Sequence, residues 1–432
     1  LRFFLIKWPI VRPIHTSNKG EEVIMKGIHV TSEIKPLKKV LLHRPGKELL
    51  NLTPDTLGEL LFDDIPFLPV AQAEHDAFAK VLRDNGVEVV YIENLLAEVF
   101  DLYPEVREQF IHQFIKEGDI HTEKWHNILF KFFNAYTSNY DLVMKFVEGV
   151  NLDELDVPAG NTLADFVDNG HKLVLNPMPN LYFQRDPFAS VGDGATLNRM
   201  YSVTRNRETI FAEYIFNHHP DFKGYVEKWY DRYEEFHIEG GDVLNLTETT
   251  LAIGISQRTE ADAIDLLASK IFHNPNSKID TILAFDIPNN RAMMHLDTVF
   301  TQIDTDKFTI HPGILGPLTV YKLCKADNEQ GYTVEKMETH LEELLAETLG
   351  VEKVTLIKCG GEDPIAAERE QWNDGSNTLC IAPGVIVCYE RNDVTNALLE
   401  QYGLTVLTIP SAELSRGRGG PRCMSMPLIR ED

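Results

Sequence analysis

Residues 236–272 read FHIEGGDVLNLTETTLAIGISQRTEADAIDLLASKIF, and this stretch decides the fold. A strand-like FHIE halts at Gly240 and Gly241, VLNL resumes, a Thr/Glu turn follows, LAIGI is strand-like again, and the rest is an amphipathic helix. The same order returns at residues 183–216 (FQRDPFASVGDGATLNRMYSVTRNRETIFAEYIF) and 377–403 (NTLCIAPGVIVCYERNDVTNALLEQYG). A strand pair in residues 293–312 looks like another copy. Repetition of one supersecondary unit argues for a closed, radially repeated α/β architecture over one long open sheet.

Working outward, residues 37–45 (LKKVLLHRP) and 87–92 (VEVVYI) read as strands flanking a helix near residues 71–85. From 95 to 170 the character changes: EVREQFIHQFI, TEKWHNILFKFF and YDLVMKFVEGV carry helical spacing with no strand signal between them. The expected organisation is therefore a helical insertion at 95–170 within an α/β body of residues 25–94 and 171–432. The opening LRFFLIKWPIVRP is broken by Lys7, Pro9 and Pro13, so it is a poor signal peptide and too short to cross a membrane. Residues 1–24 are expected to be a disordered extension, with the domain starting at Met25.

Composition narrows the partners. With 41 Lys+Arg against 66 Asp+Glu, the formal charge is −25, the reverse of the basic footprint that nucleic-acid binding needs. A cationic substrate could gain from that field, though most acidic proteins use such charge for solubility. The cysteines Cys324, Cys359, Cys380, Cys388 and Cys423 are scattered, odd in number and without a CxxC pair, which points to a reducing, cytoplasmic compartment.

The chemistry-bearing residues fall in separate motifs. Residues 293–300 (MMHLDTVF) are strand-like, so His295 and Asp297, two apart, are expected to share a face; taken alone, the pair fits better a core histidine satisfied by a carboxylate, or a sheet face exposed to water. Glu239 stands before two glycines that allow close approach of a ligand, or else it caps an ordinary turn. Asp186, held extended by Pro187 among aromatic neighbours, needs a cationic partner. Arg185 could serve, but strand alternation sends it to the opposite face. Residues 415–426 (SRGRGGPRCMSM) give Cys423 cationic, glycine-rich surroundings that favour thiolate; a buried structural cysteine or a phosphate loop are the alternatives. One Cys, one His and several carboxylates could hold a metal, yet HExxH and CxxC spacings are missing. A planar cation fits better, because paired carboxylates can grip a guanidinium through bidentate, charge-assisted hydrogen bonds.

Taken in order, PNLYFQRDPF, HIEGGDV, MHLDTVF and SRGRGGPRCMSMPL, with LLHRPGKELLNLTPD and LFDDIPF upstream, resemble the arginine deiminase family from about residue 28 onward. The resemblance implies a five-bladed, pseudo-symmetric α/β propeller with an inserted helical domain. It implies hydrolysis of L-arginine to L-citrulline and ammonia without metal or other cofactor, in a cytoplasmic homo-oligomer. It makes Cys423 the nucleophile, Asp186 and Asp297 the guanidinium clamp, Glu239 its support and His295 the proton carrier. Asn180, Arg205 and Arg258 would hold the substrate carboxylate, the Leu61 backbone its amino group, Phe183 would line the pocket and Arg418 would gate it. Lys35-Pro36 and Pro421-Arg422 depart from some relatives, the latter replacing Gly-His with a group that does not titrate near neutrality. Rival readings are a dimethylarginine hydrolase, an agmatine deiminase, an amidinotransferase, or an inactive propeller that senses arginine.

Overall fold

The computed structural model describes residues 26–157, 173–288 and 293–432. The expected extension at 1–24, the start at Met25 and the end of the insertion after residue 157 lie outside those residues.

Among the described residues, one unit occurs five times. In each, two strands pair antiparallel and the second pairs in parallel with a third that returns after a helix. Met426–Arg430 pairs with Leu37–Leu42, which pairs with Glu88–Tyr91 across helix Leu68–Asp84. Phe188–Val191, Gly194–Leu197 and Glu227–Tyr230 repeat it around helix Glu208–His218. Val243–Asn245, Thr250–Ile255 and Thr281–Asp286 do so around Ala261–His273. Phe300–Gln302, Lys307–Ile310 and Thr355–Lys358 form the fourth, and Leu379–Ala382, Val385–Tyr389 and Thr405–Ile409 the fifth. The triplets belong to separate sheets, the third extended by the hairpin Pro317–Lys325 and Tyr332–His340. Among the described residues, the first triplet joins the last strand to the first.

Four helices run consecutively over Ile92–Leu102, Pro104–Glu117, Glu123–Asn134 and Asn139–Glu148. Thr122 and Ser138 cap the last two by accepting backbone N–H bonds, which satisfies donors that a helix start leaves unpaired. Their apolar stripes meet in a cluster where the Phe110 ring lies 4.9–5.9 Å from the rings of Phe100, Phe114, Phe146, Phe211 and Tyr214. Phe211 and Tyr214 come from helix Glu208–His218, so this core ties the helical segment to the second triplet. Among the described residues, no helix is long and apolar enough to cross a membrane.

Three local expectations are corrected. Residues 293–299 are not a strand: His295 is extended and Leu296–Val299 forms a single helical turn, because Asp242 Oδ1 accepts the Leu296 N–H at 2.8 Å and Thr298 Oγ1 donates to the His295 carbonyl. Residues 236–239 likewise form no ladder; the third triplet begins at Val243. Asp186 also lies in a turn ahead of strand Phe188–Val191, so strand alternation does not separate it from Arg185.

Candidate active site

Cys423, Asp186, Glu239, His295 and Asp297 are each no more than 5% exposed. The structure brings them together from four stretches: the turn before Phe188, the Gly240–Asp242 turn, the Leu296 turn and the loop before the last strand. Close approach explains both glycines after Glu239: a Cβ on Gly240 would lie 2.0 Å from the Arg185 carbonyl oxygen, and one on Gly241 2.5 Å from His295 Nδ1.

Charge is distributed as carboxylate–arginine pairs around the thiol. Asp297 Oδ2 accepts from Arg422 Nη1 at 2.8 Å, and the Cys423 thiol lies 3.7 Å from the same oxygen. Asp186 Oδ2 accepts from Arg205 Nη1 at 2.9 Å, not from Arg185. Asp186 Oδ1 and Asp297 Oδ1 are buried and have no hydrogen-bond partner. Each of the two carboxylates thus has one oxygen committed and one uncommitted. Glu239 sits 2.9 Å from His295 Nε2 and 3.4 Å from Arg258 Nη1, while His295 Nδ1 is 3.9 Å from Asp186 Oδ1.

These neighbours set the protonation states. Burial alone would lower the His295 imidazole, but Asp186, the hydrogen bond to Glu239 and nearby Asp242 raise it to about 9. Burial opposes ionisation of Glu239, yet Arg258 and His295 hold its carboxyl well below the usual range. The Cys423 thiol is pushed well up by burial, with Asp297, Asp186 and Asp374 adding to the effect and Arg422 opposing it. The expectation that the basic loop favours thiolate is therefore corrected: burial, with the neighbouring carboxylates, outweighs the loop's cations.

The other expected residues divide into groups. Asn180 Nδ2 donates to the Leu60 carbonyl at 2.6 Å, beside Leu61, whose φ of 55° turns the backbone left-handed. The Phe183 ring packs where a Cβ on Gly419 would be 2.3 Å away, beside Cys423. Arg205 is gripped by Glu208 as well as Asp186, so it lies against the clamp. Arg258 lies over the Tyr201 ring at 5.4 Å, with its Nε unpartnered. Arg418 stacks on Trp372.

Several contributors escaped the sequence reading. Asn377 accepts the Cys423 N–H at Oδ1 (3.0 Å) and donates from Nδ2 to the Asp297 carbonyl (3.3 Å). Its only sequence signal is the polar run WNDGSN, which resembles any turn. Arg422 spans Asp297 and Glu33, whose carboxyl it holds down to about 2 against the effect of burial. Asp242 fixes the Leu296 turn and also accepts from Ser256 and Thr259.

Asp186, Glu239 and His295 also bring ligand atoms within 4.8 Å of one another, as a metal site would. The fit to a divalent ion is poor, because Arg205 and Arg258 already place cationic charge against two of these three groups. A monocation offering several N–H donors suits the uncommitted oxygens better.

Known proteins point the same way. A family model described as arginine deiminase matches residues 58–430. An arginine deiminase of Treponema denticola is 60% identical over 408 residues, covering 94% of this chain and 100% of the relative. One from Clostridium perfringens is 55% identical over 410 residues, covering 94% and 99%. Among solved structures, a dimethylarginine dimethylaminohydrolase adduct with S-methyl-L-thiocitrulline has a TM-score of 0.50 at 13% identity, covering 90% of this chain and 99% of that one. An amidinotransferase from Microseira wollei gives 0.51 at 13% identity, covering 94% and 98%. The two structures establish a shared mixed α/β fold, and the sequence matches reach further: the chain belongs to the arginine deiminase family.

Proposed function

We propose that the chain hydrolyses L-arginine to L-citrulline and ammonia by covalent catalysis at Cys423. One observation carries the reading: two buried aspartates beside the thiol, Asp186 and Asp297, each keep one oxygen without a hydrogen-bond partner. A guanidinium between them supplies the donors these oxygens lack.

The steps follow from the charges. When the substrate cation enters, it offsets the carboxylates that hold the thiol protonated, and Cys423 loses its proton to solvent. The thiolate adds to the guanidinium carbon and gives a tetrahedral adduct. His295, held protonated by Asp186 and Glu239, donates to the departing nitrogen, and ammonia leaves an S-alkylthiouronium. Neutral His295 then takes a proton from water; the hydroxide adds to the same carbon, and collapse expels the Cys423 thiolate and citrulline. One arginine and one water are consumed per citrulline and ammonia.

In this reading Glu239 keeps His295 oriented, and Arg258, Arg205 and Asn180 receive the substrate carboxylate, with Arg258 offering its unpartnered Nε. The Leu61 backbone meets the amino group, Phe183 packs along the aliphatic stem and Arg418 closes the pocket. Arg258 and Arg205 favour arginine over agmatine, which has no carboxylate. The five strand triplets are read as the blades of a pseudo-symmetric propeller over residues 25–94 and 171–432, with 95–170 inserted as a helical domain; the recurring triplet pattern supports this. The same reading makes the protein a cytoplasmic homo-oligomer, testable by mass measurement in solution. A citrulline assay on arginine, agmatine and methylated arginine, with and without chelator, tests the function: arginine alone should be turned over, chelator-insensitively. Preference for another substrate, or loss of activity with chelator, refutes it.

A further inference from the structure

With every candidate catalytic residue at most 5% exposed, the substrate has to cross a wall. Residues 415–420 form part of that wall. On its outer side, Ser415, Arg416 and Arg418 line a cavity of about 1170 Å³ with Asp63, Asp64 and Trp372. On its inner side there is no slack: a Cβ on Gly417 would meet the Tyr182 hydroxyl at 1.8 Å, and one on Gly419 the Phe183 ring at 2.3 Å. The segment can therefore yield only outward, into the cavity.

Arg418 sits at the hinge of this wall. Its φ of 65° is left-handed, which a non-glycine residue adopts only where its surroundings hold it. Its side chain is 7% exposed, yet Nε and Nη1 lack hydrogen-bond partners, and Asp63 Oδ2 is 3.8 Å from Nη1. What does hold it is the Trp372 ring, with the guanidinium carbon 3.5 Å from the ring centroid. Such a stack is attractive but weakly directional, so it restrains the guanidinium without fixing it as a bidentate salt bridge would.

We infer that Trp372 is a positioning residue for the reaction: it holds Arg418, and through it the nucleophile's loop, in the closed arrangement. The platform is rigid where rigidity is needed. Trp372 ends helix Pro364–Trp372, and the preceding Gln371 donates to the Thr298 carbonyl at 2.9 Å, next to Asp297. Thus the support of the gate and the guanidinium clamp belong to one bonded assembly. Two residues on, Asp374 is buried, has an unpartnered Oδ2 and faces the charge of Arg418, giving the guanidinium an electrostatic anchor beside the ring. The ring itself is 55% exposed, so its outer face packs against little and its substitution spares the core.

The inference rests on the deiminase reading, and its test separates the two. Steady-state kcat and KM for arginine are measured in the full chain, in W372A, W372F and R418A, and in the W372A/R418A double variant. Loss of the stack should raise KM in W372A by roughly three- to thirty-fold, because closure becomes less favourable. The kcat should stay within about two-fold, since the reacting groups are untouched. W372F keeps a ring and should restore KM most of the way. The double variant should be no worse than R418A alone, because the two side chains act as one unit. An unchanged KM in W372A, a fall confined to kcat, or additive effects in the double variant would overturn the inference. A wild-type chain inactive on arginine would overturn the deiminase reading beneath it.

Discussion

The cluster around Phe110 and the cluster around Cys423 are equally buried and differently held. In the first, rings from helices Ile92–Leu102, Pro104–Glu117, Asn139–Glu148 and Glu208–His218 fill space, and any of them could be exchanged for an apolar group of similar volume. In the second, Asp186, Asp297, Glu239, Arg205, Arg258 and Arg422 sit in paired charges that cost desolvation, and two carboxylate oxygens are left without hydrogen bonds. The difference teaches where stability is gained and where it is given up. Apolar packing under the helices offsets a chamber assembled for a ligand rather than for itself.

The sharpest way to break this contrast is Cys423→Ala. It should lower kcat by about 10⁴-fold or more while leaving the melting temperature level or higher, because it removes a thiol buried among carboxylates. A citrulline assay paired with calorimetry decides it; substantial residual turnover sinks the covalent mechanism. The opposite variant, Phe110→Ala, should cost about 3–5 kcal/mol in denaturant unfolding, with kcat/KM at low temperature nearly unchanged. If Phe110→Ala impairs catalysis as strongly as folding, the two regions are not separable.

How legible was each region? The helical segment was readable because one local period, repeated over residues 92–148, suffices to bury one face. The repeating unit was readable too, although where its strands begin was not: FHIE was read as a strand, whereas the ladder starts at Val243. At the site, residue types carried the signal and geometry did not. His295 and Asp297 do reach one chamber, but through a helical turn pinned by Asp242, a long-range bond that no local pattern encodes. The thiol's protonation depends on burial first and then on Asp297, Asp186 and Asp374, three segments distant in sequence, which is why the adjacent Arg422 and Arg418 misled. Arg422 and Asn377 were missed as parts of the site because their roles are defined by partners more than forty residues away.

Between the extremes lies pH. His295 is raised from 6.5 in the unfolded chain to about 9 in the fold, so its contribution is fully present below about pH 6.5 and is lost as pH rises through about 9. The difference corresponds to about 3 kcal/mol, of which His295→Asn should remove most of the pH dependence in that window. Stability measured by denaturant from pH 6 to 10 should therefore fall in the wild type and stay flatter in the variant; parallel curves would show that His295 does not carry the charge. The kcat/KM should decline over the same window, as the acid for ammonia departure is lost.

The smallest effect probes whether the charged chamber is ordered by neutral bonds. Asn377 joins the backbone of the nucleophile to the backbone of Asp297, with its Oδ1 at 3.0 Å and its Nδ2 at 3.3 Å from their partners. Asn377→Ser shortens the side chain so that it cannot span both, and each lost neutral bond is worth about 1 kcal/mol. The substrate contacts nothing on this side chain in the proposed binding mode, so KM should hold while kcat falls about ten-fold. The same change should lower the unfolding midpoint only slightly, because both backbone groups stay near other polar atoms. If KM rises instead, Asn377 shapes the pocket rather than aligning thiol and clamp, and the division between a packed scaffold and a chamber ordered for its ligand has to be drawn nearer to Cys423.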